Sequence, residues 1–430
     1  MSSSSNGKIG LWAAVAIGVG GMVGGGIFAV LGLAVQLARG GTPIAFALAG
    51  VVALLTTYSY AKLSVAYPSR GGTVTFLNRA FGAGLFTGSL NVLLWLSYVV
   101  MLSLYAFAFG SYGATFLPEG WHDVGKHVLI SVGIIAITGL NLLSAELIGK
   151  AEDWIVGIKV GILLLFAGVG FAGIHASRVM PDAWSPPLQL AAGGMIIFLA
   201  YEGFELIANT AQDVRDAART LPRAYYVAVG FVIALYVVIA LVTVGNLDVD
   251  KIVSAKDYAL AEAARPFLGQ AGFTLIAVAA MLSTASAINA TLYGAARLSY
   301  CIARDGELPA ALERKVWGSP AEGLLITAGL TLFVANTFDL SSISTLGSAG
   351  FLLIFAAVNI ANARQAKETK SLWGISTLGA VACVAALGAL LWQTITSAPE
   401  QLWVLAVMLA LAVIVEGSYR LASRELRIHE

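Results

Sequence analysis

Three ionisable residues lie inside long apolar stretches of this sequence, where a charge is costly. Glu202 and Glu205 have at least ten uncharged residues before them and seven after them, and Lys159 lies in the apolar run 154–163. A charged side chain at the bilayer centre costs roughly 2.5–3.5 kcal/mol on insertion scales. The structural alternatives are solvated helix ends for the glutamates and a lysine that reaches back to the membrane surface. The functional interpretation is two carboxyl groups on one helical face and a buried amine that binds and releases a proton, or replaces a sodium ion.

A cluster of glycines is the second feature that could have a chemical role. Six of the nine residues at 18–26 are glycine, and each glycine costs a helix interior up to about 1 kcal/mol relative to alanine. Two GxxxG pairs within the cluster fit close packing of helices. The cluster also fits a helix that unwinds and restarts near Gly26, with free N–H groups directed at an anion. A dinucleotide-binding fingerprint is excluded, because Val23 occupies its last glycine position and no strand precedes it.

Membrane-spanning helices are the elements that must position these groups. Only 11% of the residues are charged and 58% are hydrophobic, whereas a soluble chain carries about 25% charged residues. No alternating, strand-like pattern competes with a helical interpretation. The apolar runs predict an all-α integral membrane protein with twelve transmembrane spans, at 11–38, 43–66, 84–116, 127–145, 154–175, 188–211, 224–245, 270–300, 322–338, 343–362, 373–395 and 401–419.

Two of these spans are interrupted. The first contains the glycine cluster, and the sixth contains the two glutamates with Gly203 between them, where we expect the helix to open. Four spans separate the interruptions, so they occupy corresponding positions in two halves of five spans. Such a pair is typical of inverted-repeat transporters with a site at the membrane midplane. The predicted divisions are a cytoplasmic N-terminal tail (1–10), a first repeat (11–187), a second repeat (188–366), two peripheral helices (367–420) and a cytoplasmic C-terminal tail (421–430).

The basic residues predict the orientation in the membrane. Eighteen Lys and Arg residues lie on one side of the predicted spans and six lie on the other. Because cytoplasmic loops carry the excess of Lys and Arg, we expect both termini to be cytoplasmic and the protein to be a multi-pass protein of the cell inner (plasma) membrane.

Composition also excludes several function classes. A net charge of +1 gives no basic surface for nucleic acid. Cys301 and Cys383 have no metal-ligand or redox spacing, and the four histidines lie in loops or tails. We therefore expect no enzyme, no catalytic residues, no metal, no cofactor and no nucleic-acid partner.

The chain resembles the amino acid–polyamine–organocation (APC) superfamily over nearly its whole length. It is most similar to the prokaryotic proton-coupled, sodium-independent amino acid transporters of the ApcT type. The resemblance implies a LeuT-like fold of five plus five inverted repeats with two peripheral helices, in which helices 1 and 6 are broken. The stretches that carry it are the broken first helix, the glutamate segment and four further runs, at 24–28, 201–205, 221–224, 265–269, 286–295 and 305–309.

The resemblance implies where an amino acid binds. Backbone N–H groups at the first-helix break hold the substrate carboxylate, and backbone carbonyls of spans one and six hold its amino group. Two side chains of span three could form a pocket wall, with ordinary packing as the alternative. In this sequence the implied residues are Val23, Gly24, Gly25 and Gly26 for the carboxylate, Met22, Leu199 and Glu202 for the amino group, and Tyr98 and Met101 for the wall.

The resemblance also implies how transport is coupled to protons. The family's span-five lysine, which stands where sodium-coupled relatives bind an ion, maps onto Lys159. Its partners map onto the Gly20 carbonyl and the Ser283 hydroxyl, and Glu205 maps onto a carboxylate often discussed as a second proton or gating group. The coupling ion is then H⁺, and no Na⁺ is expected.

Glu202 departs from the family pattern, because close relatives often have an apolar residue there. A pocket-facing Glu202 favours a cationic amino acid or a polyamine, and a Glu202 that faces away favours a neutral amino acid. The expected function is proton-coupled amino acid symport by alternating access, with an amino acid, protons and membrane lipid as partners. An exchanger or polyamine carrier on the same fold and a membrane sensor that does not transport stay open as alternatives, and so does the oligomeric state.

Overall fold

Helices make up most of the described chain. The computed structural model describes residues 9–143, 145–304 and 321–428, so the first eight residues, the last two and the 305–309 run lie outside it. The described residues form no β-strand and only two isolated bridges. The predicted all-α class is therefore confirmed for these residues.

Fifteen α-helices lie in these ranges, with one long 3₁₀ helix between the eighth and the ninth. The long 3₁₀ helix is Phe198–Asp213, and short 3₁₀ turns lie at Glu119–Trp121, Ala176–Arg178, Pro181–Ala183 and Lys256–Tyr258. The α-helices are α1 (Leu11–Met22), α2 (Gly26–Ala38), α3 (Thr42–Ala66), α4 (Gly72–Phe81), α5 (Leu85–Ala114), α6 (His122–Leu143), α7 (Ala145–Phe171), α8 (Pro187–Ile196), α9 (Ala217–Asn246), α10 (Val249–Ser254), α11 (Ala259–Arg304), α12 (Ala321–Thr337), α13 (Leu340–Arg364), α14 (Trp373–Ser397) and α15 (Gln401–Ile428).

The length and apolar character of these helices fit a multi-pass membrane protein. In the described ranges nine helices are long and apolar enough to cross a membrane, and two bent helix pairs bring the number to as many as eleven. The shorter apolar helix Glu322–Thr337 lies where the ninth span is predicted. The exact number of twelve spans stays a prediction. The helix α15 continues to Ile428, so most of the predicted C-terminal tail is helical.

The first span breaks where the glycine cluster predicts. The helix α1 ends at Met22, α2 begins at Gly26, and the two are bent by 47°. The glycines also pack closely. A Cβ atom on Gly21 would lie 2.7 Å from the Gly203 carbonyl oxygen, and one on Gly26 would lie 2.7 Å from the Ala200 Cα. The cluster therefore serves both the break and the close approach of spans one and six.

The sixth span breaks at a different residue from the one we expected. The helix α8 ends at Ile196, the long 3₁₀ helix begins at Phe198, and the bend between them is 43°. The expectation that the helix opens at Gly203 is therefore wrong. A Cβ atom on Gly203 would overlap the carbonyl carbon of Gly21. Glycine is required at this position because the two backbones touch there.

The second half of span six is a 3₁₀ helix of 16 residues. Runs longer than three or four residues are uncommon in this conformation, and side chains at i and i+3 eclipse along it. Glu202 and Glu205 are therefore stacked on one face. At the start of the segment, the backbone N–H of Leu199 donates a hydrogen bond to Ser348 Oγ of α13 at 3.1 Å.

The helices differ strongly in how far they are buried. The most apolar windows of α5 and α13 are each 89% buried, whereas those of α14 and α15 are 33% and 22% buried. The former pair forms the inner scaffold, and the latter pair presents most of its surface to lipid. The 30 residues of α5 extend about 45 Å at 1.5 Å per residue, longer than the bilayer core requires.

The helix α11 is longer still and is kinked. Gly269 has φ 62° and ψ −155° within it, a conformation that glycine adopts at no steric cost. The part of α11 after this residue corresponds to the predicted eighth span.

We predict that Gly203→Ala disrupts the contact between spans one and six. The new methyl group meets the Gly21 backbone, and backbone cannot rotate away as a side chain can, so the cost exceeds the ~1–3 kcal/mol typical of an overfilled core. We expect a lower midpoint of thermal unfolding in detergent and loss of amino acid uptake in proteoliposomes. The matched control is Gly230→Ala in α9, where a Cβ atom has no neighbour within 4 Å. Equal midpoints for the two variants would contradict this account.

Candidate functional site

The carbonyl groups freed at the end of α1 accept hydrogen bonds from side chains of other helices. Lys159 of α7 donates from Nζ to the Gly20 carbonyl oxygen at 3.1 Å. Tyr236 of α9 donates from its hydroxyl to the Met22 carbonyl oxygen at 2.7 Å. A broken span survives in a bilayer only where protein or water satisfies the freed backbone. These two side chains provide the hydrogen-bond donors that the freed carbonyl groups need.

Ser283 of α11 is the hydrogen-bond partner of the next two carbonyl groups, those of Val23 and Gly24. Its hydroxyl lies 2.9 Å from the Val23 carbonyl oxygen and also contacts that of Gly24. The resemblance predicted Lys159, Gly20 and Ser283 as one group. The structure places all three at the break. Lys159 is hydrogen-bonded to the Gly20 carbonyl, and Ser283 is hydrogen-bonded to the carbonyls that follow.

Lys159 is directed into the protein. Its side chain is 2% exposed, and its amine lies on span one rather than at the membrane surface. Val156, one turn earlier on α7, packs against Gly20, where a Cβ atom would lie 2.9 Å from its methyl group. The structural alternative of a lysine that reaches back to the surface does not describe this geometry.

The four N–H groups predicted to hold a carboxylate divide into two pairs. The Val23 N–H donates to the Val19 carbonyl oxygen at 2.8 Å, and the Gly24 N–H donates to that of Gly21 at 3.4 Å. Gly25 and Gly26 stand at the start of α2, where a helix offers its N–H groups no acceptor of its own. The positive end of a helix dipole attracts anions, so these two are the groups best placed for a carboxylate.

Two tyrosines contact this break, and the sequence analysis did not identify either of them. The ring of Tyr105 lies against the Cα of Gly25. The Tyr236 hydroxyl, besides donating to Met22, lies 3.4 Å from the Ala200 carbonyl oxygen. It therefore joins the end of α1 to the 3₁₀ helix of span six. A buried tyrosine hydroxyl needs a partner, but its position in an apolar run does not reveal which one.

Glu202 and Glu205 form a second buried group, in span six. They are 3% and 1% exposed, which removes the solvated-end alternative. Their carboxyl groups interact electrostatically. Tyr98 of α5, one of the predicted pocket walls, donates its hydroxyl to Glu205 Oε1. Gly203, between the two glutamates, packs against Gly21 of α1, so this acid pair lies beside the break.

Two further hydroxyl groups complete the shell of Glu205. Tyr60 of α3 lies 3.0 Å and Thr73 of α4 lies 3.1 Å from Glu205 Oε2, and the two hydroxyl oxygens are 2.8 Å apart. No pattern in the sequence indicated either residue. Met101, the other predicted wall residue, is buried in α5, and Leu199 is buried at the start of the 3₁₀ helix.

Hydrogen bonds also tie the outer ends of the broken spans. At the end predicted to be cytoplasmic, the Ile9 N–H donates to the Asp213 carbonyl at 3.0 Å and the Arg215 N–H donates to that of Ile9 at 2.9 Å. At the opposite end, the Gly40 N–H donates to the Ala183 carbonyl at 3.1 Å. Spans one and six are therefore bridged on both sides of the break.

The described ranges hold no group of three His, Cys, Asp or Glu side chains that could bind a metal ion. The oxygen atoms at the break are backbone carbonyls and the Ser283 hydroxyl, and the nearby cation is Lys159. The break therefore offers backbone N–H and carbonyl groups, with Lys159 and the acid pair beside them.

We predict that Tyr236→Phe destabilises the break. The change leaves the Met22 carbonyl without its hydroxyl partner, and an unsatisfied buried polar group costs about 1–3 kcal/mol. We expect a lower thermal midpoint and reduced uptake. The control is Tyr201→Phe, which also removes one buried hydroxyl, bonded to the Phe46 carbonyl at 3.0 Å, but leaves the break intact. A loss of uptake as large in the control would mean that hydroxyl removal alone, and not the break, is responsible.

Comparison with known proteins identifies the family of this chain. The sequence profile described as amino acid permease matches residues 9–414. An uncharacterised protein of Methanocaldococcus jannaschii is 39% identical over 82% of this chain and 81% of its own. The inner membrane transport protein YbaT of Escherichia coli is 37% identical over 83% of each chain. The branched-chain amino acid permease BcaP of Bacillus subtilis is 23% identical over 82% of this chain and 80% of its own. The chain therefore belongs to the amino acid permease family of the APC superfamily.

Proposed function

We propose that this protein is a proton-coupled, sodium-independent symporter of a neutral amino acid, which works by alternating access in the plasma membrane with both termini cytoplasmic. The observation that carries the proposal is the hydrogen bond from the buried Lys159 amine to the Gly20 carbonyl, at the break in span one. Family membership supports amino acid transport. Proton coupling, sodium independence and orientation are the proposed refinements.

The break in span one supports binding of an amino acid head group. The N–H groups of Gly25 and Gly26 at the start of α2 suit a carboxylate. The carbonyl groups at the end of α1 suit an ammonium group, although Met22 shares its carbonyl with Tyr236. A zwitterion bound across the break would bridge α1 and α2. Binding would then depend on the angle between the two half-helices, which alternating access changes.

Lys159 supports coupling to protons. An ionisable group inside a membrane protein marks a proton relay or an ion path by default, and lysine gains or loses its charge readily when buried. A charged amine attracts the Gly20 carbonyl, whereas a neutral amine attracts it less. Gain and loss of the proton would therefore change how firmly the end of α1 is held against α7.

The same geometry supports independence from sodium. A sodium site needs several free oxygen ligands, and the Val23 and Gly24 carbonyls already accept from Ser283. The Gly20 carbonyl likewise accepts from the Lys159 amine, which is tethered to α7. A mobile cation would have to displace these contacts.

One observation favours a second candidate, a carrier of cationic amino acids or polyamines. Glu202 is a buried carboxyl group next to Gly203, which packs against Gly21 of span one. Its interaction with Glu205 argues against this role, because the carboxyl group already has a partner within the protein.

We predict that Lys159→Ala abolishes uptake driven by a pH gradient while the protein remains folded. Removal of the amine removes both the proton carrier and the contact with Gly20. The measurement is radiolabelled amino acid uptake into proteoliposomes with an imposed pH gradient, and we expect it to fall to the level of protein-free vesicles. Thermal unfolding in detergent checks the fold.

The matched control is Lys251→Ala, which removes an exposed lysine of α10 and should leave uptake unchanged. A sodium gradient imposed on the native protein should add nothing. Gradient-driven uptake that survives in Lys159→Ala would remove this residue from the mechanism, and sodium-stimulated uptake would contradict the sodium-independent part of the proposal.

We predict that neutral amino acids, and not polyamines or cationic amino acids, raise the thermal midpoint of the purified protein. A ligand that binds only the folded state stabilises it by RT ln(1 + [L]/Kd), about 2.7 kcal/mol at a concentration of 100 Kd. A thermal-shift screen of the amino acids and common polyamines measures this directly. Stabilisation by putrescine or arginine alone would favour the second candidate.

A further inference from the structure

A crevice of about 830 Å³, the flank crevice, lies between α5, α13 and α15 on the outside of the helix bundle. Phe81, at the end of α4, lines it as well. Small side chains such as Ala356 and Ala412 are buried in its floor, whereas Phe86 and Val413 at its edges are exposed. The crevice exists because these small side chains lie between larger ones.

The flank crevice extends along one leaflet of the bilayer. On α13 it reaches from Leu353 to Arg364, a rise of about 16 Å at 1.5 Å per residue. One leaflet contributes about 15 Å to the hydrocarbon core. Leu93 of α5 and Leu409 of α15 line the inner end together with Leu353, and Arg364 is the last residue of α13. The crevice therefore leads from the membrane surface predicted to be cytoplasmic to about the midplane.

Arg364 and Ser89 are the two polar side chains that line the flank crevice in the described part of the chain. The Arg364 guanidinium lies 5.2 Å from the centre of the Phe81 ring, and none of the ion pairs formed by the described residues includes it. Ser89 lies about one turn inside α5, and its Oγ is buried without a hydrogen-bond partner among these residues. Buried hydroxyl groups are rarely left unpaired. Both side chains are donors for which the described chain supplies no acceptor.

The order of these groups along the crevice matches the layers of a phospholipid. A guanidinium group at the membrane surface suits a phosphate, to which it can donate two parallel hydrogen bonds. A hydroxyl group just inside the membrane suits an ester carbonyl oxygen, and the apolar walls below it suit an acyl chain. Basic pockets between transmembrane helices on the cytoplasmic side bind acidic head groups. A cation, a hydroxyl and an apolar channel in this order therefore favour an anionic lipid.

We propose that the flank crevice binds one anionic phospholipid of the leaflet on the side predicted to be cytoplasmic. Arg364 binds the phosphate, Ser89 donates to an ester carbonyl oxygen, and an acyl chain fills the space beside Ala356 and Ala412. The lipid thereby adds contacts between the outer helix α15 and the inner helices α5 and α13. The site goes beyond the proposed function, because it does not depend on which amino acid the protein carries.

The test is native mass spectrometry of the purified full-length protein in detergent, with phosphatidylglycerol or phosphatidylcholine of identical acyl chains added in turn. We expect one phosphatidylglycerol per protein, bound more tightly than phosphatidylcholine, whose head group is neutral overall. Arg364→Gln should weaken the binding of phosphatidylglycerol about fivefold, the contribution of one basic residue near an anionic lipid surface, and remove most of the preference. The matched control is Arg223→Gln, which changes an exposed arginine of α9 on the same predicted side and should keep the preference.

Ser89→Ala tests the contact with the ester group. Both lipids carry ester carbonyl groups, so we expect both to bind about fivefold more weakly, the effect of one lost hydrogen bond, while the preference for phosphatidylglycerol is kept. Ser111→Ala is the matched control. Ser111 also belongs to α5, and its Oγ is likewise buried without a partner among the described residues, but it does not line the flank crevice. Its removal should leave the binding of both lipids unchanged.

Three results would overturn the proposal. Equal affinity of the native protein for the two lipids would exclude an anionic head group as the determinant. An equal loss of affinity in Arg364→Gln and Arg223→Gln would assign the preference to the general charge of this surface. A native dimer that excludes phosphatidylglycerol would assign the flank crevice to a second copy of the chain. None of these measurements involves amino acid uptake, so the proposed function is tested separately.

Discussion

The structure depends on one constraint: a backbone opened inside a bilayer must find its hydrogen-bond partners within the protein. At the break in span one, Gly20, Met22, Val23 and Gly24 expose carbonyl groups that a continuous helix would have satisfied. Lys159 of α7, Tyr236 of α9 and Ser283 of α11 each supply a donor. The break is therefore attached to three different helices through one side chain from each. Any change in the angle between α1 and α2 must exchange some of these contacts, which ties the break to movements of the surrounding bundle.

The close approach of spans one and six follows from the same constraint. Because Gly21 and Gly203 bring the two backbones into contact, no side chain separates the broken segments. The groups that can bind a proton therefore lie beside this contact and not within it. Lys159 approaches α1 from α7, and Glu205 of the acid pair packs against α3, α4 and α5. The glycine contact therefore lies between residues that touch different neighbouring helices.

The sequence predicted the position of the first break, the burial of the three charges and the helical class, because glycine clusters and buried charges are local signals with large energetic costs. It misplaced the break in span six. Gly203 has the same intrinsic preferences whether it opens a helix or admits a neighbouring backbone, and only the position of Gly21 distinguishes the two. Tyr60, Thr73 and Tyr236 were missed for a related reason. A tyrosine in an apolar run is ordinary, and the partner of Tyr236 lies 214 positions away in the chain.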